Sequence, residues 1–380
     1  MKQTWHTGLK NKARRVLRWA WIYFLYYTGF FALARRRITS SAGIVVLTFH
    51  RVLDDPGFDL SNSPRGMAVR KSTFESLLFY LRSNCEVLPL AADSARRGEA
   101  SSKLVFAVTF DDGWKDTSDI AYQLSKSHNV PIAVFICPGL VGKANPFWPE
   151  RVVRAWRAAK KSTELHPRLS EIISAVGLEL PHSPSFTDCE LDAFLVCLKG
   201  LRAAERDLVL ERLTALEGES LPSQADIDAT MAWKSASEMA HGGAQIGSHT
   251  YSHQILPQLA SSEAQRELAV SKEIIEKTLG RSCKLFAYPN GSWSWQVRDL
   301  VAKEGYLQAF INAPGVWDSH TDPFLIPRVN IWEGSLVGPS GRFSPVIFQY
   351  TAVWACYRAQ GKRRRMASPS SPVIDEVVGA

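Results

Sequence analysis

From Gly43 onward, short apolar runs alternate with longer amphipathic stretches. The runs are GIVVLTF (43–49), KLVFAVTF (103–110), PIAVFIC (131–137), AQIGSH (244–249), KLFAYP (284–289), LQAFIN (307–312) and PFLIPRVNI (323–331), each of strand length. The stretches between them predict helices: one capped by Ser72 and running to about Asn84, one from Asp116 to about His128, one capped by Ser261 or Ser262 and ending near Gly280, and one through Glu304. Such alternation predicts an α/β fold with a parallel sheet, open or closed into a barrel. Active sites of these folds gather at the C-terminal ends of the strands. Residues 146–230 break the rhythm. They read as helices over Glu150–Lys161, Pro167–Val176, Cys189–Leu201 and Ala203–Leu216, a helical insertion serving as lid, docking surface or buttress.

The ends of the chain follow a different pattern. Residues 19–34, WAWIYFLYYTGFFALA, carry no charge and have basic residues on both sides. Three readings are open. A spanning helix needs about twenty apolar residues, more than this run offers. A signal peptide with Ala32-Leu33-Ala34 as its cleavage site is opposed by Arg35–Arg37 directly afterwards. The favoured reading is a segment lying in the cytoplasmic leaflet, with Trp and Tyr at the headgroups and residues 10–37 meeting anionic lipid. An exported, periplasmic location is the alternative. Residues 345–357, PVIFQYTAVWACY, read as a second surface-seeking helix, and ASPSSPVIDEVVGA at the end reads as a loose tail. The resulting division is 1–42, a basic and aromatic membrane-associating segment; 43–335, the enzymatic body; and 336–380, a C-terminal helix and tail.

Composition narrows the class. The chain has 380 residues, 46% hydrophobic, enough for one large domain with additions. The net charge of +8 is concentrated near the ends, which argues against nucleic acid as a partner. None of the six cysteines forms a CxxC pair, so neither a zinc knuckle nor a disulfide framework is indicated, and Cys137 reads as a small buried side chain. No oligomeric state is specified.

The chemistry lies just past the strands. Asp111-Asp112-Gly113 follows KLVFAVTF, and His249 and His253 lie in SHTYSH. One carboxylate and two imidazoles make an ordinary divalent-metal site, and the second carboxylate is left free as a base. Zinc is the default for these ligands, with Co2+, Ni2+ or Mn2+ possible.

TFDDG (109–113), SHTYSH (248–253) and FAYPNG (286–291), in that order, resemble the polysaccharide deacetylases with a NodB homology domain, carbohydrate esterase family 4. The resemblance covers roughly 43–335. It implies a distorted (β/α) barrel, a divalent metal and removal of acetyl groups from N-acetylated sugars. It further implies Asp112, His249 and His253 as metal ligands, Asp111 as catalytic base and Thr250 as the residue holding the histidine loop. An oxyanion donor is implied near Asn290, with Tyr288 beside it in the substrate-binding loop. Two departures from the common pattern stand out. The arginine expected in the third motif is Ala287 here, and no Leu-x-His follows His320. LTFHRV (47–52) resembles the permuted branch that includes poly-N-acetylglucosamine deacetylases, which makes His50 the candidate general acid. Arg328 is the candidate replacement partner for Asp111. Trp114, Trp293, Trp295 and Trp317 are candidate stacking platforms for sugars, Trp114 and Trp317 foremost. His128, His166, His182, His241 and His320 read as bystanders. The main expectation is a de-N-acetylase acting on a polysaccharide or lipid-linked glycan. The alternatives are an O-acetyl esterase or hydrolase of another non-peptide amide on the same metal, and an inactive glycan-binding scaffold at the membrane.

Overall fold

The computed structural model describes residues 2–90, 102–144, 147–162, 164–178, 186–217 and 227–366. His182 and the expected tail over 367–380 lie outside them.

Seven parallel strands close into a barrel: β1 (Ile44–Phe49), β2 (Val105–Phe110), β3 (Ile132–Ile136), β4 (Gln245–Ser248), β5 (Leu285–Ala287), β6 (Gln308–Ile311) and β7 (Ile326–Asn330). Each pairs with the next, and β1 completes the ring by pairing with both β7 and β2. The ring is uneven. β1 and β2 share a six-residue register, whereas β4 and β5 meet at Ser248 and Phe286. Every residue of β1, β2 and β3 is buried, because helices cover the outside and side chains fill the inside. A small parallel ladder, Arg51–Leu53 with Ala68–Arg70, sits beyond the end of β1.

Two helix starts differ from expectation. The first helix begins at Lys71 with Arg70 at the cap position, and Ser72 lies inside its first turn. The helix Ser261–Leu279 is preceded by Ala260, whose N–H donates to Glu263. In both cases the chain enters from an extended residue one or two positions before the serine, so the hydroxyl falls too late to cap.

The insertion forms four helices among the described residues: α3 (Trp148–Lys161), α4 (Leu165–Ala175), α5 (Asp188–Gly200) and α6 (Ala203–Glu217). They share a core of their own around Trp156, Ile173, Phe194 and Leu213. A reciprocal Thr187–Glu190 capping box starts α5.

The aromatic front end is two helices, Lys2–Tyr27 and Phe30–Ser40, broken at Gly29, whose φ of 84° ends the first. One side packs on the body: Ile22, Leu25 and Phe31 meet Ile347, and Ala34 and Ile38 join the main core. The expectation for 345–357 is overturned. Ile347, Phe348, Ala352, Val353 and Cys356 are buried against the barrel and the front helices, so this segment is core. An apolar run flanked by cations has the same composition in either setting; here its partner is the protein.

Candidate active site

The Asp111-Asp112-Gly113 turn, the His249–His253 loop and the Asn290 loop converge at the C-terminal mouth of the barrel on a cleft of about 540 Å³. A second cleft, about 580 Å³, opens at the starts of the strands beside Gln245 and Lys284, with no carboxylate, histidine or cysteine in its lining. The chemistry is therefore at the first.

Backbone strain marks the site. Asp112, Thr250, His253 and Asn290 all have positive φ, between 57° and 74°. A non-glycine residue in that region costs about 1–2 kcal/mol, and such residues collect where a side chain must be aimed against local preference. Gly113 and Gly291 extend the same turns. A Cβ on Gly291 would come within 2.6 Å of the Asn312 nitrogen, so the loop approaches its neighbour more closely than any other residue permits.

Asp112, His249 and His253 each present one donor atom, all within 4.8 Å of one another. Asp112 Oδ1 lies 3.3 Å from His253 Nε2 and 3.6 Å from His249 Nε2. That oxygen is buried with no hydrogen-bond partner, while Oδ2 accepts from Trp114 Nε1 at 2.9 Å. His249 Nδ1 meets the Ala287 carbonyl at 2.8 Å, which leaves Nε2 as the lone-pair nitrogen facing Asp112. Burial pulls the His249 imidazole down to about 4, so it is neutral near pH 7, as a ligand must be. An unpartnered oxygen facing two oriented nitrogens fits a divalent cation. The histidine loop is pinned by Ser252, whose N–H and Oγ both donate to Glu267. Thr250, expected to do this, has a buried hydroxyl with no partner among the described residues.

Asp111 stands beside this triad. Arg328 grips it at both oxygens, Nη1 to Oδ1 and Nη2 to Oδ2, each at 2.7 Å. Arg328 also donates to Asn312 and Thr109. Burial alone raises a carboxyl, but the guanidinium outweighs it and holds Asp111 below the ordinary range. The lowered value fixes the sign of the linkage. The pair's stabilisation is present above the unfolded aspartate pKa of about 3.9 and is lost as pH falls through the lower folded value. His50, just past β1, lines the cleft and is buried, and its Nδ1 has no partner among the described residues.

The substrate-contact expectations fare unevenly. Asn290 lines the cleft, and its Oδ1 accepts from Lys199 of the insertion. Tyr288, Trp114 and Trp317 are fully buried and offer no face to a sugar. Tyr288 donates to the Phe324 carbonyl. Trp114 lies between Arg51, 4.3 Å from its ring, and Phe147; it orients Asp112. Trp317 pairs with Ile44, the first residue of β1, and so plugs the opposite end of the barrel. Trp293 and Trp295 meet edge to face outside the cleft lining. Among the expected bystanders, His241 is exposed and caps its own helix, and the His166 ring packs at a tilt against Phe186 in the insertion.

The rings that do line the cleft are Trp148, from the start of α3, and Trp332, two residues past β7. Trp332 carries the same sequence signal as the candidate catalytic groups, a position just after a strand. Trp148 carries none, because it belongs to the insertion. Glu150, one turn into the same helix, is buried, and burial pushes its carboxyl well above the usual range, with Asp112 adding to the effect.

A polysaccharide deacetylase family model matches residues 217–309. The chain is 28% identical over 97 residues to the Bacillus subtilis protein YxkH, named for the same family, covering 26% of this chain and 35% of that one. It is 35% identical over 80 residues to chitin deacetylase 1 of Cryptococcus neoformans, covering 21% of this chain and 16% of that one. The chain thus spans about a third or less of the length of the curated relatives it matches. The fold resembles a Streptococcus pyogenes deacetylase, PplD, solved with acetate, at a TM-score of 0.51 and 16% identity, over 82% of this chain and 98% of that one.

Proposed function

We propose that this protein is a polysaccharide deacetylase, a metal-dependent hydrolase removing N-acetyl groups from amino sugars of a polysaccharide or lipid-linked glycan, a reading supported by the family match over residues 217–309. One observation carries the reading. A carboxylate and two imidazoles converge on a common point, and a second carboxylate beside them is held ionised by Arg328 and excluded from the donor set.

A divalent metal held by Asp112, His249 and His253, zinc by ligand type, would polarise the acetamido carbonyl and acidify a water. Asp111 takes the proton of the attacking water, and its depressed pKa keeps it ready to do so near neutral pH. His50 gives a proton to the departing amine. Its Nδ1 has no partner among the described residues, so an imidazole proton donor is presented to the cleft without competition from a neighbouring group. The Asn290 loop faces the developing oxyanion. Trp148 and Trp332 offer ring faces to the sugar.

The test is acetate release from N-acetylated oligosaccharides by metal-loaded protein. His249→Ala is expected to lose the metal in elemental analysis and turnover with it. His50→Gln is expected to keep the metal and lose about 10²-fold or more in kcat. A wild type inactive on neutral, charged and lipid-linked acetylated glycans would overturn the reading. Full activity of His50→Gln confined to esters would favour O-acetyl hydrolysis.

The proposal includes a membrane surface as the place of work. No described helix is long and apolar enough to cross a bilayer. The front helices nevertheless leave Leu17, Trp21, Phe24, Tyr27, Phe30 and Leu33 exposed. The first three are spaced as one helical face, with Arg14, Arg18 and Arg35–Arg37 exposed nearby. The cytoplasmic leaflet suits these arginines. The protein is expected to co-sediment with anionic vesicles, and Trp21→Ser with Phe24→Ser to weaken that binding severalfold. Wild-type protein left in the supernatant would sink this part.

A further inference from the structure

The wall that the insertion adds to the cleft holds a buried cation that makes no ion pair among the described residues, the Asp207 carboxylate acting on it only at longer range. Arg206, near the start of α6, is 4% exposed and lines the cleft. Its Nε and Nη1 are buried without a hydrogen-bond partner, and no carboxylate lies within ion-pair distance of it among the described residues. What holds it is Trp148, whose ring lies 5.3 Å from the guanidinium. Leaving a guanidinium desolvated and unpaired is costly, and burial lowers its pKa accordingly. Buried polar atoms without partners are rare and call for an explanation. Two more cations line the same cleft. Lys199 of α5 reaches across to Asn290, and Arg65 lies over Trp332. Asp192 is the carboxylate the insertion contributes to the lining. The other two, Asp111 and Asp112, are committed to Arg328 and to the metal set.

We propose that Arg206, supported by Lys199 and Arg65, forms an anion subsite within the cleft, and that the acetylated glycan bound there carries an anionic oxygen group, phosphate or carboxylate, close to the sugar being deacetylated. The inference rests on the cleft being the glycan site. A ligand oxygen would supply the partner Arg206 lacks, and the charge-assisted bond would form in a desolvated setting where it is strongest. The insertion thereby acquires a role in substrate choice. The barrel brings the reacting groups, and α3, α5 and α6 select the charge.

The experiment is calorimetric binding to full-length, metal-loaded protein. The probes are an N-acetylglucosamine tetramer, the same tetramer bearing a 1-phosphate, and the same tetramer ending in a uronate. One charged probe is expected to bind about tenfold tighter than the neutral one, the worth of a single charge-assisted hydrogen bond. The probe with the larger ratio names the source of the anion. Arg206→Gln should bring the charged-to-neutral ratio close to one, and Arg206→Lys should retain part of it. Lys199→Gln and Arg65→Gln, at exposed positions, should each lower it by a smaller factor. The melting temperature of Arg206→Gln should not fall, since an unpaired buried cation is removed. Equal binding of all three probes, no binding of any, or a preference intact in both Arg206→Gln and Lys199→Gln would overturn the subsite. Acetate release from the neutral tetramer, measured alongside, tests the hydrolase reading separately: an inactive protein that still prefers the charged probe loses the reaction and keeps the subsite.

Discussion

Asp111→Asn is expected to retain metal, lose about 10²–10⁴-fold in kcat, and also lose stability. The second effect follows from the partner. Arg328 is fully buried inside the barrel mouth and directs both terminal nitrogens at Asp111. Its Nε is buried without a partner already, so removing the carboxylate's charge leaves a guanidinium supported mainly by the carbonyl oxygens of two amides. Breaking one side of a buried pair costs about 3–5 kcal/mol, against a total of about 5–15 kcal/mol for a typical domain. Arg328→Met removes the other side, and its signature is a change of sign with pH. In the wild type Asp111 is depressed, so the pair loses stability as pH falls. In Arg328→Met burial, the largest influence on Asp111, is opposed only by the weaker pull of His249 and His50; its pKa is expected to rise above the unfolded value, and that group's contribution to stability then falls as pH rises. The acid limb of kcat/KM should move upward in the same variant. Asp111→Asn combined with Arg328→Met should recover most of the stability of the single variants and none of the activity, because replacing both sides of a buried pair is often neutral. Melting curves of metal-free protein at two pH values and kinetics of loaded protein measure the two effects apart. A single variant as stable as wild type, or a double variant less stable than both, would refute the coupling.

The features legible in the sequence were those that depend on periodicity and on order along the chain. Strands buried on both faces must be apolar throughout, so β1 to β3 were visible as uninterrupted runs. Asp111, His249 and Asn290 follow strands, and the parallel topology brings such positions to one mouth. Exposure was not legible. Trp114 and Trp317 look alike as sequence, yet one is buried beneath Asp112 and the other at the far end of the barrel. Aromatic rings serve packing and binding equally well, and only the tertiary neighbours decide. The back apolar segment, 345–357, is core for the same reason: Ile347 is covered by Ile22 and Phe31 of the front helices, which no local pattern announces. Arg206 was invisible because an arginine on an amphipathic helix is normally solvated.

Arg51→Met is expected to bring the protein to the edge of unfolding, by about 3–5 kcal/mol or more, and to weaken metal binding in whatever remains folded. Arg51 is fully buried one residue after His50. It donates to Asp116 Oδ2 at 2.9 Å, to Asp228 Oδ1 at 2.6 Å, to Ser63 at 3.0 Å and to the Ile227 carbonyl. Asp228 also accepts from Asn62, and Asp116 from the Val52 N–H. One guanidinium thus joins the end of the insertion, the loop before Arg65 and the helix after the catalytic turn. A methionine of similar length leaves two carboxylates buried without a cation. Burial already raises the Asp116 carboxyl against the pull of Arg51, so without Arg51 it rises further and the variant should gain stability as pH is lowered from about 7 to about 5. Arg51→Lys should rescue only part, because an ammonium is a point donor that cannot span Asp116 and Asp228 as the guanidinium fork does. The effect on the metal passes through Trp114, whose ring is held under Arg51 and whose Nε1 fixes Asp112. Loss of such an outer hydrogen bond weakens metal binding about 10–100-fold. Trp114→Phe isolates that step, keeping the packing and deleting the donor, so it should reproduce the weaker metal binding without the pH-dependent instability. If Trp114→Phe bound metal as the wild type does, Asp112 would need no such support, and the link from Arg51 to the metal site would be disproved while the stability argument stood.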